Sequence, residues 1–500
     1  MGSDITLSSH SRVWTVENGV GPFNQPLYQG CAKIGDSSWS FGDVEPVECP
    51  DPERYGGFVK VGEIQGQIER TTTSLNGRYP SELSELLRLG RKRCRLDVQV
   101  HLGKCRDPQD FSEGWEKVKI YPKGRISSWG DENAGALSSD ENEVTNETVE
   151  LSADELYEVK RLAFEEQATT DVVREIISID VCDAINCGDC GEPSDGCEKV
   201  FATMVGVGST PGTLPSVVFS EDGGTTWDTT NIDTLFANEA PSDSECVNGL
   251  FVVVSNGSNS LHYAPTSDIL DATENWVEVT SGFVAGGEPN AIWAADSRHV
   301  WIAGDGGYIY FSSDVRSGVT VQNPGVATTQ DLVDVHAFDD QFVVAVGNLN
   351  TVVYTENGGA TWNAVTGPAI GVGLTSVWAH GSKTWIVGDA NGALWKTRNS
   401  GQSWTQYTNL PIALVRVDEI AFANDTIGYL AARDGAAHGV ILRTIDGGYS
   451  WYVLPEGPGG ISIPDNDRIN QLAVCPDNVN VVFGGGLGGN ATDGIVVKAA

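Results

Sequence analysis

Short apolar runs separated by turn-forming residues recur from about residue 175 to the end of the chain. The segments 217–219, 352–354 and 441–443 each lead into a polar phrase, which ends in Trp and opens a second short segment. Runs of this length bounded by Gly, Asn and Asp are typical of β-strands joined by hairpin turns. The pattern therefore predicts a mainly β fold built from repeated hairpins.

The polar phrase occurs six times, with starts at residues 220, 266, 312, 355, 397 and 444. Steps of this size are typical of the four-stranded blade of a β-propeller. Four copies have similar sequences, and the copies at 266 and 312 match the phrase only in part; we call these two the worn copies. The residues assigned to these turns are Ser220, Asp222, Gly224 and Trp227; Asp268 and Trp276; Asp314; Thr355, Asn357, Gly359 and Trp362; Thr397, Asn399, Gly401 and Trp404; and Thr444, Asp446, Gly448 and Trp451.

The composition of the phrase indicates a folding role. Asp or Asn accepts hydrogen bonds from nearby backbone N–H groups, Gly supplies positive φ angles, and Trp buries a large ring between sheets. The phrase resembles the Asp-box (BNR) repeat of β-propellers, which occurs in sialidases, sortilin-type receptors, photosystem II assembly factors and phage proteins. The resemblance implies that the boxes lie at the blade periphery, away from any active site.

When each repeat is divided into four strands, the sequence predicts seven blades. The first inner strand is expected at 175–181, and the last recognisable strand at 494–498 leaves the seventh blade without a box or an outer strand. An uncovered edge invites association, so residues just before the first blade are a candidate donor of the missing strand. A helix is the rival prediction for 152–167, because Ser152 and Glu155 form a capping-box pattern.

Residues 1–173 contain no repeat and are predicted to form a separate domain, a β-sandwich with one flanking helix. Residues 174–500 form the seven-bladed propeller domain. A long acidic loop is expected at 127–146, because this Gly- and Ser-containing stretch has no apolar period. The predicted elements are strands at 58–70, 95–102, 117–121 and 144–151 and a helix at 80–93.

This order of elements, with the long loop and the attached Asp-box propeller, resembles the tail tube (major tail) proteins of long-tailed phages. The resemblance implies a virion protein made in the host cytoplasm, whose sandwich domains form hexameric rings that stack into a tube. It also implies contacts with other tail proteins and DNA only as passing cargo in the lumen. The residues that this assembly would place at subunit contacts are Arg88, Arg91, Lys92 and Arg93 in a basic run, and Asp131, Glu132, Asp140 and Glu141 in the loop.

Charge limits the partners that are expected. The chain has a formal net charge of −37, and residues 174–500 carry 38 acidic and 12 basic side chains. A strongly anionic surface repels nucleic acid and anionic membranes. The basic run at 88–95 is the exception: it could contact nucleic acid, or pair with an acidic surface of another subunit. The chain contains no apolar run long enough for a transmembrane helix, and residues 1–13 lack the apolar core of a secretory signal.

The chain contains 10 cysteines, and four of them, Cys182, Cys187, Cys190 and Cys197, cluster within the first blade. Three interpretations stay open: disulfide bonds, free thiols, or a metal site, although a structural Zn²⁺ site usually has two well-separated pairs. Disulfides would indicate that the protein works outside a reducing cytosol. We predict no metal and no cofactor.

The main functional hypothesis is therefore a structural virion subunit with the propeller as an outward decoration, and no catalytic residues. The first alternative is a glycan- or protein-binding module, which includes weak contact with cell-surface glycans. Trp293, Trp301, Trp378 and Trp385 either stack on sugars or form blade core. The second alternative is a sialidase-like glycosidase, which would need three arginines around a sugar carboxylate.

Overall fold

A computed structural model of the chain describes residues 11–17, 27–32, 64–73, 96–103, 115–131, 144–153, 157–160, 164–166, 175–182, 197–205, 217–230, 240–256, 259–270, 276–368, 371–408, 410–454, 467–475, 478–488 and 494–499. The chain forms two compact units. The first is Met1–Arg161 with Asn186–Glu192, and the second is Leu162–Ile185 with Pro193–Ala500.

The first unit contains a seven-stranded antiparallel sheet. Its strands are β1 (Ser11–Glu17), β2 (Leu27–Ala32), β3 (Ile64–Thr73), β4 (Leu96–Gly103), β5 (Trp115–Asp131), β6 (Val144–Ala153) and β7 (Tyr157–Lys160). The order is β2-β1-β4-β5-β6-β3, and β7 also pairs with β5. The predicted strands at 95–102, 117–121 and 144–151 are confirmed, while the two-layer sandwich stays a prediction.

The prediction of a loop over residues 127–146 is wrong at both ends of this range. Residues 125–131 of β5 pair with β6, and Asp131 lies opposite Glu147. In this pairing Ile126 lies opposite Leu151 and Trp129 lies opposite Val149, and apolar cross-strand pairs of this kind favour a sheet over a loop. Other predicted features lie outside the described residues: the helix at 80–93 with Arg88, Arg91, Lys92 and Arg93, and the residues Glu132, Asp140, Glu141, Cys187 and Cys190.

The second unit is a seven-bladed propeller, which confirms the blade count. In the described residues each blade is a four-stranded antiparallel sheet. From the inner to the outer strand, the first six blades are β9 (Glu175–Val181), β10 (Val200–Val205), β11 (Val217–Ser220), β12 (Asp228–Thr230); β13 (Ala240–Val247), β14 (Leu250–Asn256), β15 (Ser260–Pro265), β16 (Val277–Val279); β17 (Pro289–Asp296), β18 (His299–Gly304), β19 (Tyr308–Ser312), β20 (Thr320–Pro324); β21 (Leu332–Ala337), β22 (Val343–Gly347), β23 (Thr351–Thr355), β24 (Asn363–Thr366); β25 (Leu374–Ala379), β26 (Trp385–Asp389), β27 (Leu394–Thr397), β28 (Thr405–Gln406); and β29 (Leu414–Phe422), β30 (Gly428–Asp434), β31 (Gly439–Thr444), β32 (Tyr452–Val453).

The seventh blade is closed by strand exchange. It consists of β33 (Arg468–Val474), β34 (Val482–Leu487), β35 (Gly494–Ala499) and, on its outer edge, β8 (Phe164–Glu166). Glu166 pairs with Val497 and Phe164 with Ala499. The prediction of a donor strand before the first blade is therefore confirmed, and the prediction of a helix over 152–167 is wrong. The physical reason is that β8 covers a strand edge that would otherwise be unpaired. The propeller unit begins at Leu162 for this reason, before the predicted boundary at residue 174.

The hydrophobic core lies between neighbouring blades. Both faces of the middle strands are covered, so these strands are rich in apolar residues, as in the fully buried β22. Val344 and Val346 of β22 pack with Val377 and Val387 of the next blade. Trp301 and Trp385, which the sequence left open as sugar-stacking residues, are completely buried core.

The four close copies of the box share one hydrogen-bonded turn. In the copy at 355, the Thr355 hydroxyl accepts the N–H of Gly359 at 3.0 Å, and the Asn357 Oδ1 atom accepts the N–H of Thr361 at 2.9 Å. The same pair of bonds recurs in the copies at 220, 397 and 444. The folding role predicted for these residues agrees with this geometry.

The two worn copies are not box turns, which corrects the assignment of Asp268 and Asp314. Asp268 lies in a short helix, α1 (Thr266–Leu270). Asp314 caps a 3-10 helix, Val315–Ser317, by accepting the N–H of Arg316 at 3.1 Å. Neither segment has the Gly pair that supplies positive φ angles in the close copies.

Two disulfides link the first blade to its neighbours. Cys182 bonds to Cys246 of the second blade, and Cys197 bonds to Cys475 of the seventh, with Cα–Cα distances of 5.4 and 5.9 Å. The sequence correctly placed Cys182 and Cys197 among the disulfide candidates, but it grouped them with each other. Cys246 lies in the adjacent second blade, and Cys475 lies in the last blade, which closure of the ring brings beside the first. Spacing along the chain could not identify either partner.

Candidate binding site at the channel mouth

Every described inner strand of the propeller carries a β-bulge at the same place. One residue near the start of the strand has no partner in the second strand of its blade, and the pairing register shifts there. Bulges change the direction of side chains and are common beside functional sites. These seven "bulge residues" are Ile177, Ser242, Asn290, Val333, Thr375, Asp418 and Asn470.

The bulge residues with polar donors hold the next blade. Ser242 Oγ donates to the carbonyl oxygen of Pro289 at 2.8 Å, and Thr375 Oγ1 donates to that of Val417 at 2.7 Å. Asn290 and Asn470 make the equivalent bonds. In each case the acceptor immediately precedes the bulge residue of the neighbouring blade, so the bulges are in register around the ring.

The residue after each bulge forms a second ring of contacts. These "ring residues" are Ser178, Asp243, Ala291, Asp334, Ser376, Glu419 and Gln471. Asp243 Oδ2 accepts the N–H of Ile292 at 2.9 Å. Ser178, Asp334, Ser376 and Gln471 accept equivalent N–H groups of the blade that follows. Side chains thus pair backbone groups that strand ladders leave unpaired in the channel.

Two ring residues depart from this pattern. The Ala291 side chain has no hydrogen-bond acceptor. Glu419 accepts the N–H of its own neighbour Ile420 and, among the described residues, makes no bond to the seventh blade. Its carboxylate is therefore the ring group least engaged in holding the propeller closed.

The bulges surround a cavity of about 350 Å³ at the end of the channel where the inner strands begin. All seven bulge residues and five of the ring residues line it, together with Asn348, Ala390 and Arg416 from the rim. A volume of this size is at the lower end of the range for small-molecule sites. The lining is mainly polar because the bulge and ring positions are polar in most blades.

Removal from bulk water raises the pKa of the cavity carboxyls. Burial raises the pKa of Asp334 to about 7, and the charge of Asp243 adds to this shift. Burial also raises the pKa of Glu419 well above its usual range, with further contributions from Asp334 and Asp243. Hydrogen bonds from backbone N–H groups act in the opposite direction, since they favour the charged form. The cavity therefore holds a group of mutually repelling carboxyls.

One carboxylate of the lining has cationic partners. Arg433 donates twice to Asp418, at 2.9 and 2.7 Å, and the Arg416 Nε atom donates to the same carboxylate at 2.7 Å. This bidentate arrangement holds the Asp418 carboxylate in a defined orientation. The sialidase hypothesis needs arginines free to bind a sugar carboxylate, and the two described arginines at the mouth are both directed at Asp418.

A second layer lies two residues further along the inner strands, on the same strand face. Its residues are Asp180, Glu245, Trp293, His336 and Trp378. The His336 ring lies 4.3 Å from the Trp293 ring and 4.0 Å from the Trp378 ring, measured between centroids. Burial raises the pKa of Asp180 and of Glu245 well above the usual range and lowers that of His336 to about 3. This layer forms an aromatic and acidic floor below the cavity.

The residues singled out by the sequence lie elsewhere. The box residues lie in turns between the third and fourth strands, and none lines the cavity. Sequence reasoning missed the bulge and ring residues. The signal that could have found them is the adjacent polar pair that interrupts an apolar strand, as in Ser242–Asp243, Asp418–Glu419 and Asn470–Gln471.

The described part of the chain contains no group of three or more His, Cys, Asp or Glu side chains that could hold a metal ion. No helix within that part is long and apolar enough to cross a membrane.

Known proteins offer only distant structural likenesses to this chain. No family model matches the chain, and no curated protein matches it. Among solved structures, the chain is similar to YCF48 from Cyanidioschyzon merolae, with 14% identity, a TM-score of 0.49, and coverage of 67% of this chain and 98% of that one. It is similar to YCF48 bound to a D1 peptide, with 13% identity, a TM-score of 0.47, and coverage of 68% and 96%. A catalytically inactive virginiamycin B lyase from Staphylococcus aureus with quinupristin gives 12% identity, a TM-score of 0.48, and coverage of 68% and 99%. At such identities and TM-scores these likenesses carry no argument about function.

Proposed function

We propose that the propeller is a binding module whose ligand enters the polar cavity at the channel mouth. The observation that carries the proposal is that all seven blades direct a bulge residue into this one cavity. Bulges interrupt strand pairing, and their repetition around a single cavity points to a shared purpose. Binding is favoured over catalysis because Asp243, Asp334 and Asp418 are engaged in holding blades or arginines.

A screen of small fragments by ligand-observed NMR tests this function. The fragments should include cationic, neutral and anionic molecules. The matched variants are Ala390→Trp, which places a large ring at the rim of the cavity, and Ala360→Trp, which places the same ring on an exposed box turn. We expect fragments that bind wild type and the Ala360 variant but not the Ala390 variant. Fragments that bind all three proteins equally, or no fragments at all, would reject the proposal.

The first unit favours a second function, self-assembly as a subunit of a phage tail tube in a virion. The observation that favours it is the β5–β6 hairpin, whose paired arms end at Asp131 and Val144 and flank the acidic segment 132–143. Such an arm suits contact with a neighbouring ring, as the family resemblance implies. The propeller would then decorate the outside of the tube, and other tail proteins would be its partners.

Negative-stain electron microscopy of the purified full chain tests this second function. The expected result is rings or stacked tubes for wild type and a loss of stacking when residues 132–143 are replaced by a short Gly-Ser linker. Particles that stay monomeric over a wide range of protein concentration and ionic strength would contradict it.

A further inference from the structure

Three of the cavity carboxyls have no cationic partner among the described residues. Asp243, Asp334 and Glu419 face one another across the ring, and none of the three forms a salt bridge within the described residues. The three side chains are partly buried, and carboxylates that have lost much of their water are normally paired, because an isolated charge is costly to desolvate. These groups therefore either keep their protons or accept a cation from outside.

A second, independent feature lies just below. His336 follows Asp334 by two residues on the same face of β21, so its ring faces the channel axis. It is 96% buried, and its Nδ1 atom accepts the N–H of Ala379 at 3.3 Å. The proton of the neutral ring is then on Nε2, and this N–H has no partner among the residues that the structure describes. Within the same part of the chain, the indole N–H of Trp293 in this layer is also without a partner.

These two features require different groups of a ligand. The carboxyl groups of the ring residues favour a positively charged group of the ligand. The N–H groups of the floor call for an oxygen acceptor, because an unsatisfied buried donor is unfavourable.

On the basis of the binding function proposed above, we infer that the ligand is a small organic molecule with an ammonium group and a hydroxyl or carbonyl oxygen. Amino alcohols and amino sugars have this chemistry. The ammonium group lies among Asp243, Asp334 and Glu419, and the oxygen reaches towards the N–H groups of the floor. Glu419 makes the largest contribution to selectivity, because its carboxylate is not used to hold the adjacent blade.

Isothermal titration calorimetry of the full chain at pH 8 tests the inference with three probes of equal length: 5-amino-1-pentanol, 1,5-pentanediol and 5-hydroxypentanoate. They share a hydroxyl group and differ only in the charge at the other end. The variants are Glu419→Gln and, as a matched control, Glu356→Gln, which makes the same change on an exposed box turn. Circular dichroism establishes that both variants keep the wild-type fold.

We expect wild type and Glu356→Gln to bind the amino alcohol about tenfold or more tightly than the other two probes, and Glu419→Gln to lose about tenfold in affinity. Equal affinity for the amino alcohol and the diol would overturn the ammonium assignment, and so would the absence of binding. In both cases the fragment screen still decides the binding function on its own. Displacement of the amino alcohol by millimolar Ca²⁺ would overturn the inference in favour of a metal site.

Discussion

Asp334 accepts the backbone N–H of Val377 at 2.7 Å, across the boundary between the fourth and fifth blades. The same carboxyl lines the cavity at the channel mouth. One side chain thus both joins two blades and contributes charge to the proposed binding site. Stability and ligand binding are therefore expected to depend on its protonation.

The first prediction concerns pH. The pKa of Asp334 is raised to about 7 in the folded protein, above its ordinary value of 3.8, so the group stabilises the fold fully below pH 3.8 and loses this contribution as pH rises towards 7. Relative to an Asp334→Asn variant, wild type should lose up to about 1.4 kcal/mol per pH unit between pH 5 and 7. Urea denaturation of both proteins at pH 5, 6, 7 and 8 measures the difference.

The histidines contribute equally in both proteins, so their effect on the free energy of unfolding cancels in this comparison. Burial lowers the pKa of His336 and of His380, so these two groups lose their stabilising contribution as pH falls below 6.5, in both proteins. An exposed control, Asp340→Asn, should show no pH-dependent difference from wild type. A wild type that gains stability over Asp334→Asn with rising pH would contradict the assignment.

The second prediction tests the ring contacts without a change of charge. Ser376 is buried, and its hydroxyl accepts the N–H of Ile420 from the next blade at 3.0 Å. Replacement by alanine removes this bond between blades, while the N–H keeps its contact with the Glu419 carboxylate, so the free energy of unfolding should fall by about 0.5–1.5 kcal/mol. Chemical denaturation of Ser376→Ala and of the exposed control Ser382→Ala measures it. Equal stability of the two variants would show that the ring bond contributes nothing.

The third prediction concerns the disulfides. Cys197 and Cys475 are 278 residues apart in sequence, and their bond ties the seventh blade to the first. Closing so long a loop restricts the unfolded chain, so reduction should cost about 2–5 kcal/mol. Peptide mapping without reductant should recover a Cys197–Cys475 peptide and a Cys182–Cys246 peptide. A peptide in which Cys182 is joined to Cys197 would contradict the ring closure described above.

The fourth prediction concerns the closing strand. A chain of residues 162–500 keeps β8, whereas a chain of residues 168–500 leaves the edge of β35 unpaired. The shorter chain should aggregate or unfold at lower temperature, because an open strand edge is a template for association. Size-exclusion chromatography with light scattering and a thermal melt compare the two. Identical behaviour would mean that β8 does not seal the ring.

Much of the propeller could be predicted because its strands and turns obey local rules. The Asn357 and Gly359 pattern specifies a turn through its own hydrogen bonds and φ angles, and the apolar segments on either side must be strands. The frame drawn from one repeat then extended to the first inner strand, Glu175–Val181. The copies at 266 and 312 were misassigned because a helix start also uses Ser, Thr and Asp.

The candidate site could not be predicted from the sequence, for a different reason. A bulge such as that at Val333 leaves no unambiguous mark, since Val333 to His336 alternates like any half-buried strand. Which polar side chains share a cavity depends on seven strands that are far apart in sequence. The partners of Cys182 and Cys197 escaped prediction for a similar reason, because they depend on how the blades pack. Cys246 lies in the adjacent blade, and Cys475 is brought close by closure of the ring.

The most direct test of the proposed site is a crystal structure of the full chain soaked with 5-amino-1-pentanol. We predict density for the probe in the cavity enclosed by the seven bulges, with its nitrogen about 3 Å from the Glu419 carboxylate. Inner strands that pair without bulges, or a probe bound elsewhere while the cavity holds only water, would contradict the account.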